Sequence, residues 1–281
     1  MTRWQALVRA RELLTRHQIE DAHLEAELLL KYTLKIDRTQ LFTDPDCVLT
    51  KQQEETYRQY VEQRIQGEPS AYITNHREFF GLDFYVDTNV LIPRPETELL
   101  VEQTIAYTGS HSNPLIVDVG TGCGNIAISL AVHLPEAIVY AIDISEAALK
   151  VARRNCLNHH VADKVKLLAG DMLEPLPMLF DFIVANLPYI PTNEVSQVNT
   201  SGFEPSLALD GGLDGTYVIK SLCVQIKNRL RPGGCFLLEI GMGQSKIIID
   251  FLHRLYPSAE IKGVLDLNNI ERVIRMIMPT P

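Results

Sequence analysis

The sequence has no apolar stretch long enough to cross a membrane, and its first residues, Met1 to Gln5, lack the apolar segment of a secretory signal. Its five cysteines form no Cys-x-x-Cys pair and do not combine with histidine at zinc-site spacing. They are Cys47, Cys123, Cys156, Cys223 and Cys235. We therefore expect reduced thiols, no metal site, no membrane association and a cytoplasmic location.

Positive charge is also in deficit, since 26 Lys and Arg residues stand against 35 Asp and Glu residues, a net charge of −9. Nucleic acid binding needs clustered positive charge, so we expect no direct nucleic acid partner, although the overall charge still allows a local basic patch. The 281 residues are 46% hydrophobic and 22% charged, which is typical of a globular protein with one large or two ordinary domains.

The most informative stretch is an apolar run followed by glycines. The run Leu115–Val119 contains one acid, Asp118, and predicts a strand buried on both faces. The segment Gly120–Gly124 predicts a tight turn into a helix that opens at Asn125. Glycines let the backbone adopt positive φ and approach a ligand closely, and a helix start favours a negative group. The spacing of the glycines alone is weak evidence for any one ligand, because nicotinamide- and flavin-binding folds carry a related pattern.

Two acids narrow the choice of ligand. Asp118 lies just before the glycines, where a carboxylate can accept hydrogen bonds from a ligand ammonium. Asp143 follows the predicted strand Ala137–Ile142, about twenty residues past the glycines, where an acid can bind both hydroxyls of a ribose. S-adenosylmethionine satisfies both acids, because it joins an amino acid to a nucleoside; NAD is the minority alternative. The other expected cofactor-binding residues in the turn are Gly120, Thr121, Gly122, Cys123 and Gly124.

A third predicted strand, Lys164–Leu168, leads to Asp171 and Met172. Strands that alternate with helices predict an α/β fold with a doubly wound sheet and a ligand at the carboxyl ends of its strands. Asp171 could accept a hydrogen bond from an adenine amino group, and Met172 could cover the ring. A helix cap beside a packing methionine is the alternative for this pair.

A second signature follows the predicted strand Phe180–Ala185. It is Asn186-Leu187-Pro188-Tyr189, in which proline stiffens the turn, Asn186 presents an amide oxygen and Tyr189 offers a flat face. Such a turn suits a planar substrate that carries an –NH₂ group.

The rest of the chain indicates an appended helical domain. Residues 1–68 have helical periodicity, with a capping box at Thr50 and Gln53, and residues 69–92 are rich in strand formers and predict a linking β-hairpin. We assign residues 93–281 to the ligand-binding domain. Pro95 is expected at the first position of a helix, with Arg94 before it and Glu96 in its first turn. Arg94 and Glu96 either only cap and pair or also touch the ligand.

The two signatures together resemble those of class I, seven-stranded methyltransferases that modify amino groups in planar systems, whose turn is usually Asn-Pro-Pro-Tyr. Further segments are similar to those of the bacterial peptide-chain release factor glutamine N5-methyltransferases, and the resemblance covers essentially the whole chain. These segments are Pro93–Glu98, Glu78–Gly81, Glu204–Pro205 and Gly211–Gly215. Leu187 departs from the usual proline, which puts the rigidity of the turn in question.

The resemblance implies a Rossmann-like sheet of seven strands and methyl transfer from S-adenosylmethionine to the glutamine of a Gly-Gly-Gln motif in release factors. Asn186 Oδ1 and the backbone carbonyl of Leu187 or Pro188 would accept the two N–H bonds of the glutamine amide, while Tyr189 stacks on its plane. Asn186 would also lie at the cofactor. Methylation of another protein glutamine, or of a DNA base amino group, is the alternative. An adaptor that binds the cofactor without catalysis is less consistent with an intact Asn186 turn.

Overall fold

The computed structural model describes residues 1–109, 111–199 and 202–280, and the chain divides into two compact units, Met1–His76 and Arg77–Pro281. Among the described residues, no helix is both long and apolar enough to cross a membrane.

The first unit is helical. Its helices are α1 (Arg3–Arg16), α2 (Ala22–Leu34), α3 (Arg38–Thr43), α4 (Lys51–Ile65) and α5 (Ser70–Thr74). The predicted capping box is confirmed: Thr50 Oγ1 accepts from Gln53 N, and Gln53 Oε1 accepts from Thr50 N. Tyr72 and Ile73 lie in α5 and not in a strand, because a short apolar segment is compatible with either element until its packing partners are known. The apolar faces of α1, α2 and α4 form the core of this unit.

The second unit begins with a hairpin of β1 (Arg77–Phe79) and β2 (Leu82–Phe84). Phe80 and Gly81 both have positive φ, at 53° and 71°, which is the backbone that a two-residue hairpin turn needs. The helix α6 (Glu98–Thr108) follows a single 3₁₀ turn, Pro95–Thr97, in which proline occupies the first position as predicted.

The predicted seven-stranded sheet is confirmed, with strand order β5-β4-β3-β6-β7-β9-β8. The remaining elements in chain order are β3 (Leu115–Val119), α7 (Asn125–His133), β4 (Ile138–Asp143), α8 (Glu146–Asn158), β5 (Val165–Ala169), β6 (Phe180–Ala185), α9 (Val195–Val198), α10 (Tyr217–Gln225), β7 (Leu230–Glu239), α11 (Ser245–Leu255), β8 (Glu260–Leu265) and β9 (Glu271–Ile277).

Strands β3 to β7 pair in parallel, while β9 runs antiparallel to both β7 and β8. Side chains along β6 alternate between the two faces of the sheet: Ile183 and Ala185 pack in one buried cluster, Phe182 and Val184 in the other. Helices therefore cover both faces. The sequence Pro232-Gly233-Gly234 predicts a turn before this strand, but the structure places these residues inside β7, where its pairing with β6 shifts register and Gly233 has φ 74°.

The order of strands places a crevice next to β3. The chain passes from β3 to β4 and β5 on one side of β3 and then returns to β6 on its other side, so the winding of the sheet reverses direction at β3. Val119 pairs with Ile142 on one side and with Ala185 on the other, so the three strands end level with one another. The loops that follow them meet at the place where open α/β sheets bind ligands.

Candidate functional site

The glycine loop after β3 is shaped by three left-handed residues. Gly120, Gly122 and Gly124 have φ of 75°, 56° and 84°, a backbone that only glycine adopts without strain. The N–H groups of Gly120 and Thr121 both donate to the carbonyl of Ile142, at 2.9 Å. These bonds tie the loop to the end of β4, and α7 then begins directly after the loop. A ligand can therefore approach the start of α7 at close range.

Asp118 lies beneath this loop and does not line the cavity above it. It is fully buried, and its Oδ2 accepts hydrogen bonds from Thr121 Oγ1 at 2.6 Å and from Ala127 N at 3.2 Å. Burial raises the pKa of Asp118 to about 7, against the opposing effect of those two hydrogen bonds. The carboxyl group therefore braces the loop against α7 from below.

Asp143 does line the cavity, at the end of β4. Its Oδ2 accepts from Gly122 N and its Oδ1 from Ser145 N, both at 2.8 Å. Burial raises the pKa of Asp143, and its backbone hydrogen bonds act in the opposite sense. Each carboxylate oxygen keeps a second lone pair for a ligand donor, and Asp143 and the glycine loop hold each other in place.

Asn155 fastens the glycine loop to the segment after the hairpin. It is fully buried in α8, and its Nδ2 donates to the carbonyls of Cys123 and Tyr85, each at 2.9 Å. Its Oδ1 accepts from Tyr85 N at 2.9 Å. The amide therefore uses three of its four hydrogen-bonding positions to fix two backbone segments.

The turn after β6 stands beside the glycine loop because β3 and β6 are paired. A Cβ built on Gly120 would lie 2.9 Å from Leu187 Cδ2 and 3.6 Å from the carbonyl oxygen of Asn186. Leu187 is buried at this contact. Asn186, Leu187 and Pro188 all line the cavity. The leucine at the position of the usual proline thus packs against the glycine loop.

A buried carboxyl group stands behind the Asn186 turn. Asn186 Nδ2 donates to Thr97 Oγ1 at 3.0 Å, and Tyr189 Oη donates to Glu239 Oε1 at 3.3 Å. Tyr189 does not line the cavity. Burial raises the pKa of Glu239 to about 7, whereas the hydroxyls of Thr97 and Tyr189 favour its charged form. Burial also raises the pKa of Tyr189, so its hydroxyl stays protonated as a donor.

The cavity that joins these groups has a volume of about 390 Å³, within the range of roughly 300–1,000 Å³ for small-molecule sites. The predicted residues Gly120, Thr121, Gly122, Cys123, Asp143, Asp171, Met172, Asn186, Leu187 and Pro188 line it. Asp171 is exposed, and Met172 Sδ accepts a long contact of 3.7 Å from Gln225 Nε2. The predicted residues Asp118, Gly124 and Tyr189 lie outside its lining.

Comparison with known proteins decides the family. Residues 5–74 match the PrmC N-terminal domain, and residues 95–203 match the methyltransferase small domain. The chain is 39% identical to the release factor glutamine methyltransferase of Koribacter versatilis over 100% of both chains. It is 42% identical to that of Moorella thermoacetica over 89% of both chains.

The chain belongs to the release factor glutamine methyltransferase family. The resemblance of its motifs to this family is therefore confirmed. A methyltransferase from Pyrococcus furiosus has a similar fold, with a TM-score of 0.52 at 16% identity over 72% of this chain and 91% of that one. This second likeness bears on the fold alone.

In this member of the release factor glutamine methyltransferase family, Arg94 and Glu96 have different surroundings. Arg94 lines the cavity and its Nη2 lies 2.6 Å from Glu204 Oε2, while Glu204 Oε1 accepts from Ile92 N at 3.1 Å. Glu96 is exposed and does not line the cavity. The ion pair attaches the segment before α6 to the long loop after β6. Arg94 both pairs and lines the cavity, and its contact with a ligand stays a prediction.

Several cavity residues of this family member were missed by sequence reasoning. They are Asn89, Val90, Leu91, Pro93, Ile144, Tyr217, Ser221 and Gln225. Gln225 Oε1 accepts from Leu173 N at 2.9 Å, which places this polar side chain of α10 beside Met172. The sequence signal that could have identified Gln225 was its polar side chain on the cavity-facing side of α10. Glu239 and Thr97 carried no such signal, because only the pairing of β6 with β7 brings Glu239 next to the turn.

Proposed function

We propose that this protein transfers a methyl group from S-adenosylmethionine to the side-chain amide nitrogen of the glutamine in the Gly-Gly-Gln motif of release factors. The observation that carries the proposal is the contact between the glycine loop and the Asn186 turn, at the level ends of β3 and β6. Relatives that match 100% and 89% of the chain are named release factor glutamine methyltransferases, which supports the same substrate.

The cavity residues fit S-adenosylmethionine, which would supply a methyl group on a positively charged sulfur. Asp143 keeps lone pairs directed at the cavity for two ribose hydroxyls, and the start of α7 offers free N–H groups for a carboxylate. Met172 and Ile144 present apolar surface for a flat ring. Asp118 acts from beneath, by fixing Thr121, since it does not line the cavity itself.

An amide nitrogen is a poor nucleophile because its lone pair is delocalised into the carbonyl. The protein must therefore fix the direction of that nitrogen and stabilise the positive charge that develops on it. Asn186 Oδ1 can accept one N–H of the substrate amide, and the carbonyl of Leu187 or Pro188 can accept the other. The nitrogen would gain the methyl group as the methyl–sulfur bond breaks, and S-adenosylhomocysteine would leave as a neutral thioether. The nitrogen would then release one proton to solvent. Because that proton leaves after the transfer, no strong base is needed before it. The hydroxyl of Tyr189 donates to Glu239 and the residue does not line the cavity, so stacking on the amide would require its ring to turn toward the substrate.

We further propose that the helical segment 1–68 recognises the release factor outside the Gly-Gly-Gln motif. It has a hydrophobic core of its own and matches a separate domain family. A comparison of methylation rates on a Gly-Gly-Gln peptide and on the whole factor tests this role, since equal kcat/KM for both would exclude it. A release factor works at the ribosome, so we place the reaction in the cytoplasm.

Radiolabelled S-adenosylmethionine tests the proposed reaction. The purified chain is incubated with a release factor, with the same factor carrying Ala for the motif glutamine, and with duplex DNA. We expect label in the first protein alone. Label in the Ala variant would show another protein site, and label in DNA would favour the base-methylating alternative. Asn186→Ala should lower turnover about a hundredfold with little change in cofactor affinity, the scale for loss of one preorganised partner.

A further inference from the structure

The peptide unit between Tyr189 and Ile190, at the exit of the Asn186 turn, is held at both of its polar groups. The carbonyl oxygen of Tyr189 accepts from Gln244 Nε2 at 2.9 Å, and the N–H of Ile190 donates to the carbonyl of Leu209 at 3.0 Å. A peptide unit is planar, so it cannot rotate without breaking one of these two bonds. The backbone that leaves the turn is therefore fixed in direction.

Gln244 lies between β7 and α11, and its side chain joins three backbone segments. Its Nε2 also donates to the carbonyl of Gly215 at 3.2 Å, and its Oε1 accepts from the N–H of Gly241 at 2.9 Å. The three partners are two carbonyls and one N–H, so only one orientation of the amide satisfies them all. The side chain therefore ties the exit of the Asn186 turn to the loop before α10 and to the end of β7.

Two glycines allow this close approach. A Cβ built on Gly215 would collide with the carbonyl oxygen of Tyr189 and would lie 2.9 Å from Gln244 Nε2. A Cβ built on Gly241 would lie 3.1 Å from Tyr189 Cδ2 and from Gln244 Oε1. The backbone around the amide is therefore packed on both sides, which leaves the side chain of Gln244 little room to move.

The hold at the exit matters because the Asn186 turn is only partly rigid by itself. The ring of Pro188 fixes its φ, whereas the φ of Leu187 has no such restriction. At its start the turn follows β6 directly, and Leu187 packs against Gly120. At its exit Gln244 holds the carbonyl of Tyr189. The carbonyls of Leu187 and Pro188, one of which accepts an N–H of the substrate amide in the proposed reaction, therefore lie between two anchored ends.

We propose that Gln244 is a positioning residue, which fixes the exit of the Asn186 turn and thereby the direction in which the turn presents its backbone carbonyls to the substrate amide. Gln244 does not line the cavity, so it acts through the turn and not on the reacting atoms. The inference rests on the proposed function for the reaction that it serves, whereas the hold on the turn is a property of the protein alone.

Two substitutions separate the donor of Gln244 from the shape of its side chain. Gln244→Met removes the amide and keeps a chain of similar length, while Gln244→Glu keeps the acceptor for Gly241 and replaces the donor by an oxygen that faces two carbonyls. Tyr256→Phe is the matched control. Tyr256 Oη donates to the backbone carbonyl of Cys223 at 2.6 Å, from the other end of α11 and outside the cavity lining.

We expect both variants of Gln244 to lower kcat for release-factor methylation by about tenfold or more, since displacing a catalytic group by about 1 Å can cost about a hundredfold in rate. The Kd for S-adenosylmethionine, measured by calorimetry, should change by less than about threefold, because the clamp holds the substrate turn and not the glycine loop. Tyr256→Phe should keep the wild-type kcat. Thermal unfolding confirms that each variant is folded.

Hydrogen exchange measures the hold on the turn without cofactor or substrate. The N–H groups of Ile190 and Gly211 form the two backbone bonds beside the clamp, to the carbonyls of Leu209 and Ile190. Their exchange, followed by NMR, should be faster in Gln244→Met by about tenfold or more, because a released turn opens these bonds more often. In Tyr256→Phe both groups should exchange at the wild-type rate.

A wild-type kcat in Gln244→Met or Gln244→Glu would overturn the proposal, as would unchanged exchange at Ile190 in Gln244→Met. An equal loss of kcat in Tyr256→Phe would refute it as well, because general destabilisation would then explain the effect. Failure of the proposed function has a different signature, since the wild-type protein would transfer no label to the release factor. The exchange comparison still decides in that case whether Gln244 holds the turn.

Discussion

Asn155→Ala should destabilise the protein and weaken its cofactor site at once. The substitution removes an amide that satisfies the N–H and carbonyl of Tyr85 and the carbonyl of Cys123, each at 2.9 Å. A buried polar group left without its partner costs about 1–3 kcal/mol. Tyr85 is partly exposed, so water can replace some of the lost bonds, and alanine regains about 0.5 kcal/mol of helix propensity. We expect a net loss of about 2–4 kcal/mol in the free energy of unfolding.

Urea unfolding measures this loss, with an unchanged m-value showing that the denatured state is not altered. Asn158→Ala is the control, because Asn158 is exposed on the same helix and should change stability by only a few tenths of a kcal/mol. Cys123 lies in the glycine loop, so the Kd for S-adenosylmethionine should rise in Asn155→Ala and stay constant in the control. A stability loss below about 1 kcal/mol with wild-type cofactor affinity would refute the role of Asn155 as a clamp.

Three further predictions concern the loop and its acids. Asp143→Ala should weaken S-adenosylmethionine binding by roughly 1–3 kcal/mol; an unchanged Kd by calorimetry would exclude Asp143 from the ribose site. Asp118 has a pKa of about 7 in the folded protein and 3.8 as its reference value, so the folded state binds more protons between these values. Its contribution to stability is therefore fully present below about pH 4 and is lost as the pH rises to about 7. Asp118→Asn should flatten the pH dependence of urea unfolding between about pH 4 and 7, and equal slopes would contradict the assignment. Gly122→Ala should cost about 1–2 kcal/mol for its positive φ alone. Gly120→Ala should cost more in the same denaturation assay, because its Cβ also meets Leu187 at 2.9 Å, and Leu187→Ala should relieve part of that excess.

The sheet could be predicted where local patterns are strong. The ends of β3 and β6 agree with the apolar runs Leu115–Val119 and Phe180–Ala185. A strand buried on both faces needs apolar side chains at nearly every position, so the run itself marks where the strand begins and ends. The glycine turn and the Asn186 turn follow these runs directly. Their contact could also be predicted from the rule that ligands bind at the carboxyl ends of parallel strands.

Other features depend on contacts that a single sequence does not reveal. Pro232–Gly234 has the composition of a turn but lies within β7 as a bulge, because the ladder with β6 resumes at Cys235 after Leu230. Glu239 reaches Tyr189 only through the pairing of β6 with β7. Asp118 has the position of a ligand-binding acid, yet its side chain turns beneath the loop to Thr121, and strand periodicity alone does not show which neighbours it meets there.

The parallel pairing of β3 with β6 also determines which changes of chain length the reaction geometry can survive. The distance from the glycine loop to Asn186 depends on the ladder between these strands, and not on the length of the segment 144–179 that connects them in sequence. Insertions in the connection 159–164 between α8 and β5, which does not line the cavity, should leave catalysis intact. A deletion of one residue within β6 is different, because it would displace Asn186 by about 3.3 Å and turn its side chain to the opposite face of the sheet. Homologues should accordingly vary in loop length between these strands while the strands themselves keep a constant number of residues.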